Sequence, residues 1–96
     1  MSAQLVAEGG RLRVSGPVTL ANAAALAVEV EQHLSGDVVV DLAAVTEVDS
    51  SALSLLFEWQ RVAQRRQCKL AFCNLPASLA SLADLYGVTE LIPAGA

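Results

Sequence analysis

The sequence predicts a small α/β domain: a mixed sheet of four to five strands covered by helices, in the order β-β-α-β-α-β-α. Three observations carry this. Gly9-Gly10 separates two short alternating segments, a hairpin signal. Residues 38–42 are apolar at consecutive positions, as in a strand buried within a sheet. Three later segments repeat their apolar residues at helical spacing, and two of these follow strands, which implies parallel crossovers. With 96 residues the chain is enough for one domain over 1–96, with little left for a deep substrate cavity.

The hairpin pairs residues 4–7 with 12–15, and Gly16-Pro17 is expected to stop the second strand. A helix should run from Thr19 or Leu20 to about Leu34, with Thr19 as N-cap. Leu20, Ala23, Ala27, Val30 and Leu34 form its apolar stripe, with Leu26 beside them. Gly36 suits the left-handed turn that follows. Residues 38–42 then read as a central strand covered on both faces, with Asp41 accepting from nearby backbone amides.

The segment 45–53 crosses from that strand into a helix from about Ser50 to Arg66. At 100° per residue, Ala52, Leu56, Trp59 and Ala63 centre its apolar face, flanked by Leu53, Leu55 and Val62. Ser50, Ser54, Arg61 and Arg65 form a polar stripe opposite, and Phe57 falls beside it. Residues 69–73 form the next strand. Pro76 opens the last helix, on which Leu75, Leu79, Leu82, Ala83 and Tyr86 share a face, and Gly87 ends it. Residues 88–92 suit a short fifth strand, and 93–96 a frayed tail.

Composition narrows the function. The chain is 54% hydrophobic and 17% charged, so some apolar surface should remain exposed for a partner. A net charge of −4, with only Arg61, Arg65, Arg66 and Lys69 as a sparse basic group, argues against nucleic acid. Met1-Ser2-Ala3-Gln4 has no basic n-region, and no window approaches the ~20 apolar residues of a membrane span, so a cytoplasmic location is expected.

Catalytic and metal chemistry lack their residues. His33 is the sole histidine and stands without an assignable nucleophile. Cys68 and Cys73 flank one strand, point to opposite faces and read as buried free thiols. Neither a phosphate-binding loop nor a CxxC motif occurs, so no cofactor and no metal is expected. Glu47 and Asp49 read as solvated acids rather than an acid/base pair.

Asp49-Ser50-Ser51 is the chain's one concentration of polar side chains at a helix start. One of them should cap the helix. An outward hydroxyl at this position can also hydrogen-bond a partner or accept a phosphate near the positive end of the helix dipole.

Val38-Val39-Val40-Asp41-Leu42, Val48-Asp49-Ser50-Ser51-Ala52-Leu53 and the strand at 69–73 together resemble the STAS domain, found in bacterial anti-sigma-factor antagonists and sulfate-transporter tails. The resemblance implies a STAS-like fold over essentially the whole chain. In antagonists the motif is typically Asp-Ser-Ser/Thr-Gly, and the hydroxyl after the Asp is the one phosphorylated. Ser50 corresponds to it, and Ala52 stands where Gly is usual. The run Leu79-Ala80-Ser81-Leu82-Ala83-Asp84-Leu85-Tyr86-Gly87-Val88, with Leu91-Ile92-Pro93, is similar to the MlaB family. That family supplies the small STAS subunit of Mla-type phospholipid ABC transporters, which maintain outer-membrane lipid asymmetry.

The MlaB resemblance implies a non-enzymatic accessory subunit bound to the cytoplasmic ATPase, peripheral at the inner membrane through that partner. The expected docking surface is Asp49, Ser50, Ser51, Ser54, Phe57 and Arg61. The alternative is an antagonist regulated by an anti-sigma-factor serine kinase, with Ser50 as the phospho-acceptor.

Overall fold

The computed structural model describes residues 3–94. Its elements are β1 (Gln4–Glu8), β2 (Arg11–Val18), α1 (Ala23–Glu31), β3 (Asp37–Val48), α2 (Ser50–Arg65), β4 (Lys69–Cys73), α3 (Ala77–Leu85) and a 3-10 turn at Thr89–Leu91. Four strands form one mixed sheet in the order β1-β2-β3-β4. The hairpin is antiparallel; β3 runs parallel to both its neighbours. Element order and strand number agree with the sequence reading.

The helices cover one face. Leu26 and Val30 of α1, the apolar face of α2, and Leu79 and Ala83 of α3 join a single cluster with alternate strand residues. Those are Leu12, Val14 and Val18 of β2, Val38, Val40 and Leu42 of β3, and Leu70 and Phe72 of β4. Ala52, Leu56, Trp59 and Ala63 are buried in it as the helical spacing requires. The Trp59 and Phe72 rings stack at 6.5 Å between centroids and tie α2 to β4. β3 has a neighbour on each side but is not equally covered on both faces. Val39 and Ala71 lie in register on the opposite face and stay half-buried.

β3 is longer than expected and is bulged twice. Between the pairs Arg13–Asp41 and Ser15–Ala44 it places two residues against one in β2. Between Gly16–Val45 and Pro17–Glu47 it inserts one more. Each insertion bends the strand and increases its twist. β2 continues through Gly16-Pro17 instead of stopping there. Among the described residues β1 pairs only as far as Ser15, so β2 is an edge beyond it, where proline is tolerated. Gly16 takes φ +87 beside the second bulge, a conformation open to glycine.

Three helix boundaries differ from expectation. Residues 19–22 form a turn rather than a helix start, with the Asn22 N–H donating to Thr19 O at 3.1 Å. Asn22, not Thr19, is the N-cap of α1, and Leu20 leaves the apolar stripe to stand 80% exposed. α1 ends at Glu31, and Leu34 is buried from the following loop. α2 ends at Arg65, with Arg66 capping it. Tyr86 falls at the C-cap of α3, before Gly87 at φ +68, and is 59% exposed rather than packed.

Residues 88–92 form no strand; they hold the 3-10 turn. Pro93 and Ala94 are docked instead of frayed. The Phe72 N–H donates to Pro93 O at 2.9 Å, and Ala94 bridges Phe72 in parallel, covering part of the β4 edge. Gly95 and Ala96 of the expected tail, and Met1 and Ser2, lie outside the described residues. Cys68 and Cys73 are free and buried; Cys68 joins the helix-side cluster and Cys73 does not.

Asp41 does more than bond a local amide. It is 6% exposed and accepts from the Ala43 N–H at 2.9 Å, the amide of the first bulge. It also accepts from Asn74 Nδ2 at 3.1 Å and Arg11 Nη2 at 3.1 Å. Cys73 Sγ lies 3.3 Å from the same Arg11 nitrogen. The carboxylate therefore ties β2, the bulge in β3 and the loop after β4. The Ala43 amide, then Asn74 and Arg11, hold its pKa down to about 2 against the upward pull of burial. A folded pKa below the unfolded value of about 4 stabilises the fold above that value and is lost as pH falls toward 2. Allowing for solvent around the half-buried Arg11, this is worth roughly 1–2 kcal/mol. Asp41→Asn should lower stability by that order at pH 7 in urea titrations, and the deficit should shrink as pH falls from about 4 to 2.

Candidate functional site

The bent end of β3 delivers Asp49 to the start of α2. Asp49 has extended backbone angles and caps the helix, its Oδ1 accepting from the Ser51 N–H at 2.8 Å. Its other oxygen, Oδ2, accepts from the Leu20 N–H at 3.0 Å. One carboxylate thus fixes both the helix start and the loop between β2 and α1. The Leu20 amide, followed by the Ser51 amide and hydroxyl and the Ala52 amide, lowers its pKa despite partial desolvation.

Ser50 is the first residue of α2 and is exposed. Its hydroxyl is engaged by no described residue; only its carbonyl is used, accepting from Ser54 Oγ at 3.4 Å. Ser51 is half-buried by the cap, whereas Ser54 is exposed one turn on. The expected surface divides at this turn. Ser51 and Ser54 line an open groove of ~310 Å³ with Ala23, Ala24 and Ala27 of α1. Asp49 and Ser50 line a wider groove of ~590 Å³ toward α3, with Ser78, Ser81, Leu82, Leu85 and Tyr86.

Phe57 and Arg61 line neither groove. The Phe57 ring is half-buried against the core, so it is less free to act as an anchor than its place beside the polar stripe suggested. Arg61 is exposed and paired with Glu58. Sequence reasoning missed Leu20, Leu85 and Tyr86, which are 80%, 76% and 59% exposed around the corner. Leu85 was legible as a large apolar residue off the α3 stripe; Leu20 was hidden by a helix start placed too early.

The sole histidine lies away from this corner. His33 and Gly9-Gly10 line a separate pocket at the hairpin-turn end of the sheet, while Ser50 follows the far end of β3. Among the described residues no set of three metal-ligating side chains comes together. No helix of the described residues is long and apolar enough to cross a membrane. A phosphate on Ser50 would find the Ser51 amide already taken by Asp49. It would add about −1.5 to −2 charges beside that carboxylate.

A family model described as "Mlab, STAS domain" matches residues 1–93. The chain belongs to the STAS domain family. Solved structures agree on the STAS fold at low identity. The unphosphorylated anti-sigma-factor antagonist SpoIIAA superposes with a TM-score of 0.75 at 11% identity, over 99% of this chain and 89% of that one. An antagonist from Mycobacterium paratuberculosis gives 0.75 at 19%, over 97% and 83%. A STAS protein from Planctomyces limnophilus, described as an anti-sigma-factor antagonist, gives 0.71 at 18%, over 96% and 87%. No curated protein shows significant sequence similarity.

Within this STAS domain Asp49 and Ser50 have separable roles. Asp49→Ala should lower the urea midpoint, since two backbone N–H groups lose their acceptor. Ser50→Ala should leave stability within about 0.5 kcal/mol of the unsubstituted chain, because its hydroxyl bonds nothing in the fold.

Proposed function

We propose that the chain is a non-enzymatic accessory subunit that docks on the cytoplasmic ATPase of an Mla-type phospholipid ABC transporter. It acts as one STAS domain, held at the inner membrane by that partner. The observation that carries the reading is the match of residues 1–93 to the MlaB-type STAS model. The Ser50 corner supports it: an exposed, unengaged hydroxyl lines a groove that carries the bare Leu85 and Tyr86, with a second groove beside it at Ser51. Such surplus apolar surface marks a partner site. Asp49, Ser50, Ser51 and Ser54 supply hydrogen bonds at the contact. Phe57 and Arg61 flank it along α2.

The second reading is an anti-sigma-factor antagonist switched by a serine kinase at Ser50. It is favoured by the similar solved structures, one of which is SpoIIAA in its phosphorylated form, with a TM-score of 0.70 at 10% identity. In either case the contact is made by the same corner, and the two differ in whether Ser50 is chemically modified.

Co-expression with the ATPase subunit of an Mla-type transporter should yield a stable complex, and Ser50→Arg, which projects a charged side chain from the corner, should abolish co-elution. An intact complex with Ser50→Arg would refute the assigned surface. Incubation of the chain with ATP and neighbouring kinases should leave its intact mass unchanged; a gain of one phosphoryl group, lost in Ser50→Ala, would establish the antagonist reading instead.

A further inference from the structure

Leu20 is exposed by construction. The turn at 19–22 is pinned by the Thr19 N–H on Asn22 Oδ1 at 3.0 Å and by Asn22 Nδ2 on Pro17 O at 2.7 Å. The Leu20 amide is held in turn by Asp49 at 3.0 Å. The side chain is thus carried at 80% exposure on a backbone fixed at several points, one of them the N-cap of α2. Leu20 lines neither groove; Asp49, which holds its amide, shares the α3 groove with Leu85 and Tyr86. Leu20, Leu85 and Tyr86 are three of the six large apolar side chains left exposed among the described residues; Val6, Val28 and Leu91 are the others. Backbone order established before binding lowers the entropic cost of using such a side chain as a contact.

The charge around the corner is one-sided. Neither groove is lined by a lysine or arginine. The ionisable linings are Asp49, Glu58 and Tyr86, and Glu58 is paired with Arg61. Asp49 thus presents the unneutralised charge at the middle of the surface, and each of its oxygens keeps acceptor capacity beyond the amide it already holds.

We propose that Leu20 is an apolar anchor of the docking surface, presented by Asp49, and that the ATPase subunit meets it with an apolar patch bearing a lysine or arginine opposite Asp49. This rests on the reading that the Ser50 corner docks on that subunit. Asp49 is a positioning residue for Leu20 as well as the cap of α2.

The test titrates the purified ATPase subunit with the full chain carrying Leu20→Ala, Leu20→Asp, Ser50→Arg or Val6→Asp, the last a control at an exposed valine on β1. All three positions are at the surface, and circular dichroism checks that each variant is folded. Leu20→Ala should weaken binding about tenfold or more, in the range of an anchor residue. Leu20→Asp should abolish it, Val6→Asp should bind as the unsubstituted chain does, and added salt should weaken the native complex. If both Leu20 variants bind within about twofold of the native chain while Ser50→Arg does not, the anchor is refuted and the corner reading stands. If Ser50→Arg also binds normally, the corner reading falls and the anchor with it. Equal loss in Val6→Asp would refute a contact specific to Leu20.

Discussion

The structure depends on how β3 is bent. Ten residues of the twelve-residue β3, 39–48, lie against the eight of β2, and two bulges absorb the difference. A bulge frees backbone groups from the ladder, and a buried free amide is expensive. Asp41 removes that penalty at the first bulge by accepting the Ala43 N–H, and it stays ionised because Asn74 and Arg11 reach the same carboxylate. Asn74 can do so because it sits at φ +57, a left-handed position that asparagine tolerates. One acid therefore joins two strands and the loop after a third at the point where β3 changes course.

The bend sets the geometry of the corner. Past the second bulge, β3 ends at Val48 beside the end of β2, so Asp49 meets the loop that leaves β2. Its carboxylate then serves two chain segments that are 29 residues apart in sequence. Because the cap is provided by Asp49, the Ser50 hydroxyl is left over, and a polar group unneeded by the fold at an exposed helix start is available to a partner. The same carboxylate that caps α2 through one oxygen holds the Leu20 amide through the other, so hydrogen bonding and apolar display at this surface have a common origin.

Much of this was legible in the residues. The apolar face of α2 followed directly from helical spacing, because seven residues at that period leave no other arrangement for the core. The hairpin and the order of elements followed from turn chemistry and apolar runs. The errors were local and had physical causes. Asn22 spends its side chain on the preceding loop, which delays α1 and expels Leu20. Gly16-Pro17 reads as a terminator in isolation, yet it is tolerated where β2 becomes an edge. Tyr86 fits the α3 stripe by period, but the helix ends before the ring can use it.

The sequence by itself determined the fold class, the core of α2, the absence of a phosphate-binding loop and the placing of Asp49-Ser50-Ser51 at a helix start. Those properties depend on residue type and short-range period, which a chain carries before it folds. The tertiary structure decided which of the three residues caps and which hydroxyl remains unused. It also decided that Asp41 is buried and ionised, and that Leu20, Leu85 and Tyr86 surround the corner. These depend on contacts between distant segments and on strand register, where two inserted residues redirect an entire strand end and no local pattern reports them.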